Sequence, residues 1–221
     1  MIVEKGIYAY PWQDYFENNC NSYILGEEGS ILIDVGHQRH VSHLLKGMEE
    51  DGIGLASIDL IIITHCHPDH HEALPSFLDG HIKATYHREE DNYLREEGGA
   101  LYQMMGAPIP TIQLEFYLRE GNLQVGASSY EILHTAGHSP GSICVYWPER
   151  KVLVTGDLLF DRGVGRTDFP GGDGRQLIQS IEKVRSLDVE ILLPGHGDMI
   201  LGKDQIQENF TFIEENYYSF L

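Results

Sequence analysis

The sequence predicts an α/β fold in which sheets stack into a sandwich with helices on the outer faces. Three observations carry this. Short apolar runs of strand character recur through both halves, at 22–25, 30–35, 59–64, 83–86, 129–133, 142–147, 151–155 and 190–193. Helical patterns follow several of them. Four strands end in a polar residue that opens a loop: Asp34, His65, Asp157 and His196. Function in layered α/β folds collects at such strand ends, where loops converge on a rigid frame.

The elements follow in order. The runs at 22–25 and 30–35 come first, the second ending in Ile33-Asp34. Val41, Leu44, Leu45 and Met48 then repeat at i, i+3, i+4 and i+7, one face of a helix. Leu60 to Ile63 is an unbroken aliphatic block and runs directly into Thr64-His65. It is far shorter than the roughly 18 residues that span a bilayer. In the second half, the runs at 129–133, 142–147, 151–155 and 190–193 are joined by a helical pattern on Leu177, Ile181 and Val184. A last helix carries Ile206, Phe210, Ile213 and Tyr217. No linker or low-complexity tract interrupts the series, so residues 1–221 are expected to form a single domain.

Composition narrows the partners. The formal net charge is −19, a field that repels phosphate backbones and argues against nucleic acid as substrate. It leaves anionic small molecules open, because bound cations invert the local field. Three cysteines cannot make a disulfide framework, and the N-terminus lacks a basic start followed by an apolar stretch. The expectation is a cytoplasmic protein, not attached to a membrane, that acts on a small molecule.

The chemistry concentrates in His65-Cys66-His67-Pro68-Asp69-His70. In an extended segment residues i and i+2 share a side, so His65 and His67 can grip one metal ion while Cys66 points away. Pro68 forces a turn, and Asp69 and His70 begin the next element, where they could serve a second ion. Imidazole nitrogen and carboxylate oxygen suit zinc, iron or manganese. The set needs completion from later strand ends. His138 lies in a loop of small residues, Asp157 follows Thr155-Gly156, and His196 sits between Gly195 and Gly197. The two oxygens of Asp157 could bridge two ions about 3.5–4 Å apart.

These motifs, with HCHPDH at 65–70, GHSPGS at 137–142, TGD at 155–157 and PGHG at 194–197, resemble the metallo-β-lactamase-fold superfamily, in the family's order and over essentially the whole chain. The resemblance implies an αββα sandwich of two mixed sheets. It implies His65, His67 and His138 on one divalent ion, Asp69, His70 and His196 on the other, and Asp157 between them. Zinc is the first expectation for both ions, with iron or manganese open. Asp34, in LIDVG at 32–36, matches an aspartate that supports the metal loop. Within the superfamily, lactam hydrolases generally lack an aspartate at the position of Asp157, and flavodiiron oxygen reductases usually carry glutamate at that of His67. The segment GVGRTDFPGGD at 163–173 is similar to the glyoxalase II-like (hydroxyacylglutathione hydrolase-like) group, and also to persulfide dioxygenases. The long C-terminal helical region of larger glyoxalase II enzymes has no counterpart in the twenty residues after Leu201.

The expected activity is hydrolysis of a thioester, for example a glutathione or other thiol conjugate, by a metal-activated hydroxide, with Asp69 orienting the nucleophile or accepting its proton. Arg166 is the candidate to clamp a substrate carboxylate, against a structural pair with Asp168. The competing activity is oxidation of a persulfide with Fe(II) held by His65, His138 and Asp157. A non-enzymatic metal scaffold is disfavoured, since no ligand position is replaced. His71 reads as a surface residue of a helix start. His37, His40, His43, His81, His87 and His134 read as structural or solvated. The aromatic tail Tyr217-Tyr218 and Phe220-Leu221 could dock on its own domain or form a contact in a homo-oligomer.

Overall fold

The computed structural model describes residues 1–14, 16–27, 29–78 and 80–221. The first sheet runs in chain order: β1 (Ile2–Glu4), β2 (Ile7–Tyr10), β3 (Ser22–Leu25), β4 (Ser30–Ile33), β5 (Ile58–Ile62) and β6 (Lys83–Thr85). The second sheet holds β7 (Gly121–Val125), β8 (Ser128–His134), β9 (Ile143–Trp147), β10 (Val152–Gly156), β13 (Ile191–Pro194) and β14 (Ile200–Leu201), in the order β14-β13-β10-β9-β8-β7. A small ribbon of β11 (Leu159–Phe160) and β12 (Gly163–Val164) projects after β10. The helices are α1 (Val41–Glu50), α2 (Pro68–His71), α3 (Arg88–Tyr93), α4 (Gly99–Met104), α5 (Gly174–Arg185) and α6 (Lys203–Tyr217).

Residue alternation explains the layers. Ile31, Ile33, Leu60 and Ile62 of the first sheet meet Val152, Val154, Ile191 and Leu193 of the second in the central core. The intervening Leu32, Ile61 and Ile63 face outward and pack against Leu44 and Met48 of α1. In the second sheet Leu153 and Leu192 face out onto Leu177, Ile181 and Val184 of α5 and Phe210 and Ile213 of α6. Central strands are therefore covered on both faces, which is why they read as unbroken apolar runs. The result is the four-layer α/β/β/α arrangement expected. Among the described residues no helix is long and apolar enough to cross a membrane.

Each sheet holds parallel neighbours. β4, β5 and β6 are parallel, and so are β10 and β13. The carboxyl ends of β4, β5, β10 and β13 deliver Asp34, His65, Asp157 and His196 to one edge of the sandwich. That edge is stitched across the sheets by polar bonds. The Ile143 amide donates to the Thr64 carbonyl at 2.9 Å and the Asn21 amide to the Gly195 carbonyl at 2.7 Å. The Tyr23 hydroxyl donates to the Pro194 carbonyl at 2.7 Å.

The structure bears on two expectations here. The C-terminal tail docks on its own chain. Tyr217, Tyr218 and Leu221 pack against the α5–α6 core, and the Tyr217 hydroxyl donates to the Arg162 carbonyl, while Phe220 stays exposed. His71 is not a surface residue. It is fully buried, with Nδ1 2.8 Å from the Tyr102 hydroxyl, because α4 closes over the start of α2.

Candidate metal centre

The loop after β5 is shaped by its own sequence. His67 is extended (φ −70°, ψ 151°) and caps α2, and Pro68 takes the first helical position, where its missing N–H costs nothing. His65 and His67 therefore fall on one side, with ring centroids 4.6 Å apart. Cys66 turns the other way into the outer core of the first sheet, fully buried. The single turn of α2 carries Asp69 and His70 around to a second position.

Three overlapping groups of donor atoms result, each within 4.8 Å: His65, His67 and His138; His65, His70 and Asp157; and Asp69, His70 and His196. Asp157 lies between the outer two. Its Oδ1 is 3.3 Å from His70 Nε2, and its Oδ2 is 3.5 Å from His138 Nε2 and 3.4 Å from His196 Nε2. Two glycines permit this crowding. A Cβ on Gly195 would stand 2.2 Å from Asp157 Oδ1, and one on Gly156, at φ +48°, would strike Thr64 Oγ1. The structure thus brings all seven of the residues named from the sequence together at one place.

Outer partners fix which nitrogen each imidazole presents. His138 Nδ1–H donates to the Arg166 carbonyl at 2.7 Å, turning Nε2 inward. His70 Nδ1–H donates to Asp34 Oδ2 at 2.8 Å. The same oxygen accepts the Thr64 hydroxyl at 2.7 Å, and that hydroxyl lies 3.2 Å from His65 Nδ1. Asp34 Oδ1 accepts the Thr64 amide at 2.7 Å. Asp34 thus supports the ligand loop, as expected, and does so from a left-handed backbone conformation (φ 57°), which short polar residues tolerate best. His67 presents Nδ1 to the cluster and Nε2 to the Tyr93 hydroxyl at 3.3 Å.

The electrostatics divides the cluster in two. Burial holds His65 well below the usual histidine range, pushes His67 down to about 3 and lowers His138, so these three offer lone pairs. Burial also opposes the charging of His70 and His196, but there the surrounding acidic groups, Asp157 foremost and Asp69 with it, together outweigh it, raising His70 and taking His196 up to about 10. The carboxyls of Asp69 and Asp157 are held below their ordinary range, because His70 and His196 outweigh the cost of burial.

The donor set fits divalent ions on its own evidence. His65 Nε2 and Asp157 Oδ1 are buried without a hydrogen-bond partner, and His138 Nε2 and His67 Nδ1 face each other at 2.8 Å. Buried polar atoms are normally satisfied, and lone pairs directed at one another are not. Cations held by the donor groups they belong to would satisfy them. Nitrogen and carboxylate donors of this kind suit zinc, iron or manganese.

A cavity of about 370 Å³ opens onto the centre, its lining including His67, Asp69, His138, Asp157 and His196. Arg166 lies at its rim, but its guanidinium is taken by Asp168 through Nε at 2.7 Å and Nη2 at 2.6 Å, and it stacks 3.8 Å from the centroid of Phe169. The structure thus shows the Asp168 pair, the structural reading of this residue, at the lining of the cavity.

Three residues at the centre have no signal in the ligand motifs. Asn18 Nδ2 donates to Asp69 Oδ2 at 2.7 Å. Tyr93 meets His67, as described. Glu90 is fully buried and ties two ligand loops together: its Oε2 accepts the Cys66 amide at 2.6 Å, and its Oε1 accepts the Gly141 amide at 2.7 Å and the Ser139 hydroxyl at 2.5 Å.

Comparison with known proteins agrees with this geometry. Residues 15–196 match the family model described as the metallo-beta-lactamase superfamily. The chain belongs to that superfamily. The hydroxyacylglutathione hydrolase GloC of Haemophilus influenzae is 35% identical over 189 residues, covering 82% of this chain and 86% of that one. Among solved structures, TTHA1623 in a di-iron-bound form is 30% identical, covers 86% of this chain and 91% of its own, and superposes with a TM-score of 0.70. The B3 metallo-beta-lactamase BLEG-1 is 28% identical, covers 97% of this chain and 100% of its own, and gives a TM-score of 0.78. The superfamily and its buried His/Asp cluster make the chain a metallo-hydrolase homologue.

Proposed function

We propose that the protein is a metal-dependent hydrolase of thioesters, with two divalent ions, zinc first and iron or manganese next, held by His65, His67 and His138 and by Asp69, His70 and His196, with Asp157 between them. The observation that carries the reading is the completeness of the second donor group beside the first. An oxygenase using one Fe(II) on two histidines and a carboxylate has no use for it. The GloC relative supports the same choice.

Divalent ions in this centre supply Lewis acidity, which acidifies water and polarises a carbonyl oxygen. The chain's own residues do the rest. Asp69, fixed by Asn18 and held as a carboxylate, accepts or orients a proton at the nucleophile. Asp34 and the Arg166 carbonyl keep His70 and His138 in register. The leaving group decides between ester-like and amide substrates. A thiolate whose parent pKa is about 8.5 departs without prior protonation. An amide nitrogen needs a donor, and among the described residues lining the cavity there is no serine, threonine, tyrosine or lysine to act as one.

The test is to give one zinc-loaded preparation and one iron-loaded preparation a set of thioesters and a persulfide, following free thiol and dissolved oxygen together. Thiol release without oxygen uptake is the expected result. Oxygen uptake with the persulfide, dependent on Fe(II) and absent with zinc, overturns it in favour of the dioxygenase.

A further inference from the structure

Apart from the metal ligands, the cavity lining is mostly apolar. Leu101 and Met105 come from α4 and the residue after it, Phe160 and Val164 from the β11–β12 ribbon, and Phe169 from the segment that follows. Three separate stretches of chain therefore converge to place hydrocarbon around the same cavity. Phe169 is held in place, its ring edge-on to His67 at 5.7 Å and an interplanar angle of 90°, with the Arg166 guanidinium on it. The wall is part of the site's construction and not loose surface.

Charge tells the same story. Arg166 is the one lysine or arginine among the described residues lining the cavity, and its fork is occupied in bidentate fashion by Asp168. Asn18, the one side-chain amide among the described residues lining the cavity, is engaged by Asp69. A tripeptide thiol brings two carboxylates that must exchange water for protein donors, and in a chain of net charge −19 those donors are scarce. An apolar substituent asks for none of them and gains from the area it removes from water.

We infer that the cavity selects thioesters whose non-reacting part is uncharged and apolar, an aryl or short alkyl group, over conjugates of a charged peptide thiol such as glutathione. The inference rests on the thioesterase reading for its chemistry, and its recognition element stands on the wall itself. Met105 and Phe169 are the specificity-determining side chains, and Asp168 is the residue that withholds Arg166 from anionic substrates.

Binding separates recognition from turnover. The zinc-loaded protein is titrated calorimetrically with two stable thioethers, S-benzyl-N-acetylcysteamine, which is neutral and apolar, and S-methylglutathione, which is charged. The expected result is a Kd at least tenfold lower for the benzyl compound. Met105→Lys, at a half-exposed rim position, narrows or reverses that ratio, and Asp168→Asn tightens S-methylglutathione about fivefold or more without tightening the benzyl compound. Equal or tighter binding of S-methylglutathione by the unaltered protein overturns the inference, as does a ratio that neither substitution moves. Lactoyl thioesters of benzyl mercaptan and of glutathione are then assayed for thiol release. Apolar preference in binding with no hydrolysis of either thioester leaves the recognition intact and removes the proposed activity instead.

Discussion

Replacing Glu90 by glutamine exchanges one buried oxygen for an NH2 group, and the surroundings show where the damage falls. All three neighbours of this carboxylate are donors: the Cys66 amide on one oxygen, and the Gly141 amide and Ser139 hydroxyl on the other. Glutamine keeps two of them by placing its oxygen toward Gly141 and Ser139. Its NH2 then confronts the Cys66 N–H, donor against donor, where neither can reach water. A charge-assisted bond is worth about 1.5–3 kcal/mol, and a buried donor left unpaired costs about 1–3 kcal/mol. Against this, a neutral amide is cheaper to bury than a carboxylate, and burial already pushes the Glu90 carboxyl up from its ordinary value. The net loss is about 2–4 kcal/mol, or roughly 5–15 °C in Tm for a chain of this size. Because Cys66 lies between His65 and His67, the shift also reaches the ligands, and loss of such support lowers metal affinity about 10–100-fold. Denaturant unfolding of the metal-free protein measures the first quantity, and zinc competition against a chelating dye measures the second. A Glu90→Gln protein with unchanged denaturation midpoint and unchanged zinc affinity would refute the idea that this carboxylate joins the two loops.

Other expectations follow from the same geometry. Asp157→Ala removes the carboxylate between the donor groups from a loop position, so turnover at saturating metal should fall at least about 100-fold while the metal-free fold unfolds near its usual midpoint; near-normal turnover contradicts the bridging role. Chelation of bound metal should lower Tm, since a ligand present at about 100 times its Kd contributes about 2.7 kcal/mol, and an unchanged melting curve would mean that the cluster holds no ion in the folded protein. Asp34→Asn sets an amide against the donors Thr64 and His70, and should cost zinc affinity about 10–100-fold with little change in far-ultraviolet dichroism. His87 caps α3 by accepting the Glu89 amide on Nδ1, and burial, reinforced by His134, pushes it down to about 4. A folded pKa below the unfolded value of about 6.5 means that the contribution of neutral His87 is complete above pH 6.5 and is lost as pH falls toward 4. His87→Asn, which keeps a capping acceptor, should flatten that part of the stability profile, and parallel profiles for the two proteins would rule the contribution out.

Legibility followed burial geometry. Strands covered on both faces, such as β4, β5 and β10, read as apolar runs because nearly every residue meets a core, Ser30 and Asp59 at their starts excepted. The edge strands β1 and β7 did not. β1 has three residues and β7 is largely exposed, so neither carries a run to notice. The helical stretch from α3 to α4 escaped for another reason. Its inward face includes Glu90 and Gly98 beside Tyr93, Leu94 and Leu101, so the apolar period is broken at the position whose carboxylate supports the ligand loops. The ligands themselves were visible because their spacing is local or follows a strand end. Asn18, Glu90 and Tyr93 reach the centre only through tertiary packing, and no local pattern marks such residues. His71 misled because polarity at a helix start usually means exposure, whereas here α4 covers it.

The two parallel strand pairs at one edge of the sandwich have a consequence for how the protein is made. A ribosome releases His65, His67, Asp69 and His70 early, along with the sheet that carries them. The donors that complete both sets, His138, Asp157 and His196, arrive only with the other sheet. Loop-closure entropy must be overcome before these distant contacts form. A nascent first half can therefore hold an ion only with an incomplete set, open to exchange. Firm retention begins when the second sheet docks, so bound metal reports completed assembly, and a chain arrested before residue 138 should emerge from synthesis without it.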